Sequence, residues 1–169
     1  MAQSLPESID LNAAVRNRWQ LTGQIKVSDL QRMPHELLHN EDSFIDYDIQ
    51  FQTSQAVLGE AVIKVKGDLE LICQRSLEPF TYTIEKQSTV GFISEVEDEA
   101  KLPPEVLATW VEDMMVDPKA LVEDEILLLI PDYPNKAGAE LDSKYLSDDS
   151  EAPESDDDDN PFSVLKDLK

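Results

Sequence analysis

The chain has 169 residues, of which 36 are acidic and 14 are basic, so its net charge at pH 7 is −22. This charge repels nucleic-acid phosphates at long range and favours a basic protein partner, because binding to phosphates relies on basic side chains. The single cysteine excludes an internal disulfide framework, and no apolar run reaches the roughly 18 residues of a membrane span. The first ten residues also lack the basic and apolar segments of a signal peptide. We therefore expect a cytoplasmic monomer that does not bind membranes.

The first predicted element is a short helix. Asp10 or Asn12 is placed to cap a helix over residues 13–19, and Gly23 is expected to end it. An extended segment over residues 24–27 is predicted to follow.

A period-two pattern then predicts a β-sheet. In residues 44–52 the apolar side chains of Ile45, Tyr47, Ile49 and Phe51 alternate with polar ones, which is typical of a half-buried strand. The same pattern returns further along, and Gly67-Asp68 resembles a turn between two strands. The four predicted strands are residues 44–52, 61–66, 69–73 and 80–85. They form an antiparallel meander, either open or closed into a partial barrel.

Two helices are predicted after the sheet. The first begins at Pro103 and Pro104 and carries apolar residues at helical spacing. These are Val106, Leu107, Trp110, Val111 and Met114. The second begins with Asp117 as its cap and Pro118 in its first turn, and Pro131 ends it. Its buried stripe comprises Val122, Ile126, Leu129 and Ile130, widened by Leu127 and Leu128. The sequence therefore predicts an α+β domain whose sheet is covered by one or two helices.

The C-terminal segment differs from the rest in composition. Residues 135–159 show no apolar periodicity and predict a disordered acidic linker, whose coil would span roughly 25–30 Å. Residues 160–169 predict a short docking helix, either on its own domain or on a partner. Its docking side chains are Phe162, Val164, Leu165 and Leu168. The predicted division is thus an α+β domain (1–134), a linker (135–159) and a docking motif (160–169).

Three segments resemble a known family. They are LICQRSLEPF at residues 71–80, VEDEILLLIP at residues 122–131 and NPFSVLKDLK at residues 160–169. In order and spacing they are similar to the large ribosomal RNA subunit accumulation proteins, or YceD family, a bacterial domain with plastid relatives. With the opening IDLNAAVRNRWQLTGQI, the resemblance covers almost the whole chain. It implies participation in the synthesis, processing or stability of 23S ribosomal RNA, and it implies no catalytic mechanism.

One position departs from that family pattern. Many members read Cys-x-Arg-Cys where this chain has Cys73, Gln74, Arg75 and Ser76. Tetrahedral zinc needs four ligands, and the chain offers one Cys and two His, His35 and His39, both before the sheet. We therefore expect no metal and no other cofactor, and we expect Cys73 to be a buried core residue.

Two other functional classes stay open as alternatives. Carboxylates at Glu123, Asp124 and Glu125, or in residues 95–99, would suit a metal-dependent nuclease or RNA-processing enzyme. However, acids are expected in a first helical turn, and no phosphate-binding loop or nucleophile elbow is present. We therefore predict that the protein is not an enzyme. The second alternative is a general acidic chaperone for basic proteins.

Contact with RNA is predicted at four basic residues in the strand region. Between residues 60 and 94, five acids meet four bases, so a sheet face that is neutral to basic would be able to touch phosphate. These bases are Lys64, Lys66, Arg75 and Lys86. The expected partners are 23S ribosomal RNA or its precursor, directly or indirectly, and a basic ribosomal or rRNA-processing protein.

Overall fold

The computed structural model describes residues 5–138. The chain divides into two units, Met1–Ala139 and Glu140–Lys169, so the described residues all belong to the first. The predicted docking side chains and nearly all of the predicted linker lie outside the described residues. The predicted domain division therefore stays a prediction.

The described residues form eight strands, three α-helices and two 3-10 turns, Val27–Asp29 and His35–Leu37. The strands are β1 (Ile9–Asp10), β2 (Gln20–Lys26), β3 (Leu38–Asn40), β4 (Phe44–Gln52), β5 (Gly59–Ile72), β6 (Pro79–Ile93), β7 (Val106–Trp110) and β8 (Met115–Val116). The helices are α1 (Leu11–Arg16), α2 (Val96–Glu99) and α3 (Pro118–Leu127). The predicted α+β class is confirmed. No helix within residues 5–138 is long and apolar enough to cross a membrane.

The main sheet is open and mostly antiparallel. Its strand order is β2-β4-β5-β6-β7, and β3 pairs with β5 beside the end of β4. All pairs are antiparallel except β6 with β7, which is parallel. Strands β1 and β8 form a separate antiparallel pair. Since β2 and β7 are the two ends of the order, the sheet does not close into a barrel.

The alternating sequence of β4 explains which face of the sheet is buried. Ile45, Tyr47, Ile49 and Phe51 are all buried, as predicted, and their polar neighbours point to the other face. We call the buried side the inner face and the opposite side the outer face. Helices α1 and α3 pack on the inner face, where the rings of Phe51 and Phe92 stack with centroids 6.0 Å apart.

The predicted turn at Gly67-Asp68 is wrong. Strand β5 runs through this point, with Gly67 paired to Ile45 on one side and to Ile84 on the other. A Cβ atom at Gly67 would lie 2.6 Å from Ile45 Cδ1 and 3.0 Å from the Phe44 carbonyl oxygen. Glycine is therefore present because β4 approaches closely, and not because the chain reverses. Gly23 likewise lies inside β2 instead of separating two elements.

The predicted helix beginning at Pro103 is also wrong. Residues 106–110 form β7, which pairs from Val106 opposite Thr89 to Trp110 opposite Ile93. The Val111 N–H extends this pairing by donating to the Ile93 carbonyl at 3.0 Å. Val, Thr and Trp favour strands, and the free edge of β6 supplies hydrogen bonds that a local periodicity cannot reveal.

The helix caps agree with the sequence. Asp10 caps α1 by accepting a hydrogen bond from the Ala13 N–H at 2.7 Å. Asp117 caps α3 by accepting from the Lys119 and Ala120 N–H groups at 2.8 and 3.1 Å, with Pro118 in the first turn. Each such cap typically contributes about 1 kcal/mol.

Helix α3 buries Val122 and Ile126 as predicted, but it ends at Leu127 and does not continue to Pro131. Leu128, which was expected to widen the buried stripe, is instead 65% exposed. The Tyr82 hydroxyl donates to the Leu129 carbonyl at 3.1 Å, which fixes the segment after the helix against β6.

Candidate interaction sites

Two of the four predicted RNA contacts, Lys64 and Lys66, lie side by side on the outer face of β5. Lys66 forms an ion pair with Glu85 of β6, with 3.1 Å between Nζ and Oε2. In the register of the sheet, Asp46 stands opposite Lys66 and Asp48 stands opposite Lys64. Each lysine is therefore flanked by at least one carboxylate.

The outer face of the three central strands is net negative. Six carboxylates share this face with the two lysines; they are Asp46, Asp48, Glu60, Asp68, Glu70 and Glu85. Neighbouring polar side chains bind several of these carboxylates, for example Thr83 to Asp68 at 2.6 Å and Thr81 to Glu70 at 2.8 Å. The local sequence count predicted a neutral to basic face, and the strand register instead concentrates the acids there.

Lys86 lies on the inner face, away from the other two lysines. Its Nζ is 3.1 Å from Glu125 Oε2 of α3, and the two side chains are 30% and 4% exposed. A buried carboxylate is costly unless a positive charge compensates it. Lys86 therefore balances the charge of Glu125 and helps to hold α3 on the sheet.

Arg75 lies in the connection between β5 and β6. This turn is closed by the Cys73 N–H, which donates to the Glu78 carbonyl at 2.9 Å, and by the Leu77 N–H, which donates to the Cys73 carbonyl at 2.8 Å. Leu77 has a φ of 59° and is 60% exposed, and Arg75 is also exposed. The four predicted RNA contacts thus lie on the outer face, on the inner face and in a turn, and the fold does not bring them together.

A contact that sequence reasoning missed joins Arg32 to α3. The Arg32 backbone N–H and Nε donate to the two carboxylate oxygens of Glu123 at 2.6 and 2.9 Å. Nη1 donates to Asp124 at 2.6 Å, and Nη2 donates to the Ala120 carbonyl at 3.2 Å. The hydrogen bond to Glu123 raises the pKa of the guanidinium above its ordinary value, with further contributions from Asp124.

Of the two carboxylate clusters proposed for a nuclease, the one in α3 is thus engaged by bases of the same chain. Glu123 and Asp124 bind Arg32, and Glu125 binds Lys86. Among residues 5–138, no group of three or more His, Cys, Asp and Glu side chains is placed to hold a metal ion. The geometry assigns these acids a structural role, and the absence of enzymatic activity stays a prediction.

Cys73 is fully buried at the end of β5, as expected. Its Sγ accepts from the Ser76 N–H at 3.4 Å and from the Lys136 N–H at 3.3 Å. The Ser76 side chain, together with the backbone N–H groups of Lys136, Ser76 and Arg75, lowers the pKa of the thiol to about 7, although desolvation acts in the opposite direction. The serine at position 76 leaves this turn with one thiol, so the residues present do not fit a zinc site.

A cavity of about 440 Å³ lies at the end of β2 and β4. Its lining mixes the aromatic side chains of Phe44 and Tyr47 with Lys26, Lys119 and Asp29. Lys26 already binds Asp42 with 2.6 Å between Nζ and Oδ1, and that hydrogen bond raises the pKa of the lysine. Burial raises the pKa of Tyr47. The lining contains no Cys, His or Ser.

The comparisons with known proteins identify the family. Residues 61–169, which are more than half of the chain, match the family model described as large ribosomal RNA subunit accumulation protein YceD. The matched span begins in β5 and includes β6, β7 and α3. No curated protein and no solved structure matches the chain significantly. On the strength of the family match, the chain belongs to the YceD family of large ribosomal RNA subunit accumulation proteins.

Proposed function

We propose that this protein is a non-enzymatic factor that supports the accumulation of 23S ribosomal RNA during biogenesis of the large ribosomal subunit. The match of residues 61–169 to the YceD family carries this proposal. The factor acts in the cytoplasm, on the synthesis, processing or stability of the RNA.

The partner that we propose is a basic ribosomal or rRNA-processing protein. A net charge of −22 attracts such a protein, and the central outer face of the sheet is itself net negative. Phosphate would meet a face that carries six carboxylates beside Lys64 and Lys66, so contact with RNA through the protein partner is the simpler arrangement. The tip at residues 160–169 adds a second contact, which raises the effective concentration of the partner.

An acidic chaperone for basic proteins is the second candidate function, and the net charge alone favours it. Such a chaperone would bind histone-like and ribosomal proteins equally well and would have no selective effect on one ribosomal RNA. Of the two carboxylate clusters that the nuclease alternative could use, the one at Glu123, Asp124 and Glu125 is already bound by Arg32 and Lys86. Insensitivity of 23S processing to a Glu125→Gln substitution would count against it.

The test is the ratio of 23S to 16S ribosomal RNA in cells that lack the gene. Complementing plasmids carry the full-length protein, the protein ending at Asp159, or full-length Lys64→Gln/Lys66→Gln. We expect a selective fall in 23S, rescue by the full-length protein and by the lysine variant, and weaker rescue by the truncated protein. An unchanged ratio in the deletion strain would refute the proposal and favour the general chaperone. A failure of only the lysine variant would show direct RNA contact.

A further inference from the structure

Strand β7 forms an open edge of the main sheet. Within residues 5–138 it pairs with β6 alone, and the strand order ends there. In a parallel pair, alternate residues direct both backbone groups to the same side. The Val111 N–H donates to Ile93, so Thr109 and Val111 face β6. Ala108 and Trp110 therefore direct their N–H and C=O groups to the outer edge, where they are ready to pair with another strand.

This edge also exposes large apolar side chains, and it lacks the residues that usually prevent an exposed strand from pairing with another chain. Leu107 is 44% exposed and Trp110 is 54% exposed, on opposite faces of the sheet. Edge strands are commonly protected by lysine, proline or a bulge, and β7 contains none of these. The opposite edge strand, β2, carries the polar side chains Gln20, Gln24 and Lys26 instead. The exposed apolar surface therefore distinguishes β7 as an interaction edge.

The surroundings of β7 are strongly acidic. Seven acids lie between residues 95 and 113, and Lys101 is the one base, so the segment has a net charge of 1 − 7 = −6. The acids are Glu95, Glu97, Asp98, Glu99, Glu105, Glu112 and Asp113. Lys101 is occupied by Asp98, with 2.6 Å between Nζ and Oδ1. Glu105 and Glu112 are exposed and lie at the two ends of the strand.

We propose that the outer edge of β7 binds an extended, basic peptide segment of a partner protein, which adds one strand to the sheet. The backbone groups of Ala108 and Trp110 supply the pairing, Leu107 and Trp110 supply apolar contacts on the two faces, and the flanking acids select lysine and arginine. This inference rests on the proposed function, because it gives the basic partner a docking site.

The same charge disfavours two other occupants of the edge. A second copy of the chain would bring two acidic segments together, and like charges repel. The acidic residues 148–159 of this chain would be repelled in the same way. The same negative charge attracts a segment rich in lysine and arginine.

The first experiment measures binding of a fluorescent probe to the full-length protein by anisotropy. The probe is the peptide Lys-Lys-Val-Thr-Val-Thr-Val-Lys-Lys, together with two versions that are N-methylated at alternate residues, on one edge or on the other. Strand addition uses one edge of the peptide. We therefore expect one methylated version to bind at least ten times more weakly and the other to bind like the parent. Equal binding of all three would overturn the proposal, because it would show electrostatic attraction without strand pairing.

Substitutions locate the site on the protein. Ala108→Pro removes an outward N–H while leaving the bonds to β6, and Ala108→Val is its matched control. We expect a tenfold loss of probe affinity for the proline variant only. Glu105→Gln/Glu112→Gln/Asp113→Asn tests the charges without touching the strand, and its control neutralises the exposed acids Glu7, Glu36 and Asp132. Equal losses in the charge variant and its control would overturn the proposal.

A further variant, Phe162→Asp/Leu165→Asp, tests whether the chain's own tip occupies the edge. We expect unchanged probe affinity, and a gain of several-fold would assign the edge to the tip and overturn the proposal.

The experiments also distinguish an error in the docking site from an error in the proposed function. If deletion of the gene leaves the 23S to 16S ratio unchanged while the N-methylation pattern holds, the function is wrong and the site stands. If the ratio falls and Ala108→Pro restores it fully, the site is not the one that the function uses.

Discussion

Lys86→Met separates a structural role of this lysine from the predicted RNA contact. The substitution removes the ammonium group 3.1 Å from a Glu125 side chain that is 4% exposed. Loss of one partner of a buried ion pair costs about 3–5 kcal/mol. Lys86 is itself 30% exposed, so water replaces part of the interaction, and we expect a loss of about 2–3 kcal/mol. For a domain of this size, that loss lowers Tm by roughly 6–10 °C.

The assay is urea unfolding of the full-length protein, monitored by fluorescence of its two tryptophans. Lys64→Met is the matched control, because Lys64 is an exposed lysine in the neighbouring strand, and we expect it to change the free energy of unfolding by less than about 0.5 kcal/mol. The double variant Lys86→Met/Glu125→Met replaces both charges by apolar side chains and should recover most of the loss. If Lys86→Met unfolds like the control, or if the double variant is less stable than Lys86→Met, the buried pair does not hold α3 in place.

Three further predictions concern other contacts. Arg32→Ala should lower the free energy of unfolding by about 1.5–3 kcal/mol, since it leaves the buried Glu123 carboxylate with only the backbone donor of residue 32. Arg32→Lys should recover little of this, because one ammonium group cannot replace the separate guanidinium donors to Glu123, Asp124 and the Ala120 carbonyl; recovery to wild-type stability in urea would contradict the geometry. The absorbance of the Cys73 thiolate at 240 nm should titrate near pH 7 and be absent from Cys73→Ser. Because the pKa of the thiol is lower in the folded protein than in the unfolded chain, the wild type should gain stability relative to Cys73→Ser as the pH rises above about 7. It should lose that gain as the pH falls through 7; a constant difference would show that the pKa of the thiol is not perturbed. Gly59→Ala should destabilise the domain by about 1–3 kcal/mol, because the new Cβ would lie 2.4 Å from Val15 Cγ2. In thermal unfolding, the added substitution Val15→Ala should recover part of this loss of stability. No recovery would show that the clash with Val15 is not the cause.

The sequence predicted those elements whose signals are local. Strand β4 follows from strict alternation, and α3 follows from Asp117 and Pro118, because capping and the fixed φ of proline act within a few residues. Strand β7 was mistaken for a helix because Val106, Leu107 and Trp110 also fit a helical spacing. The deciding factor was the parallel pairing with β6, which depends on distant residues.

The sequence predicted the interaction sites poorly for the same reason, because they depend on contacts between distant residues. Lys86 and Lys64 look alike in the sequence, yet one side chain meets a buried glutamate and the other lies on the outer face. Only the register of the strands and the position of α3 distinguish them. The Arg32 contact with Glu123 joins segments far apart in the chain, and no sequence motif around either residue predicts the contact. The family resemblance, in contrast, needed no tertiary information, because short segments of sequence carry it.

The pairing of β1 with β8 also has a consequence for the order in which the domain folds. The β5–β6 hairpin starts from Ile72 opposite Pro79, across a short turn, whereas β1–β8 joins Ile9 to Val116 and must close a loop of most of the domain. Closing a loop that long costs about 2–3 kcal/mol more entropy than closing the hairpin. The hairpin therefore forms early, and the short β1–β8 strand pair forms late. In native-state hydrogen exchange, the backbone amides of the β1–β8 pair will exchange before those of the central strands, so unfolding of the domain begins at its N-terminal end.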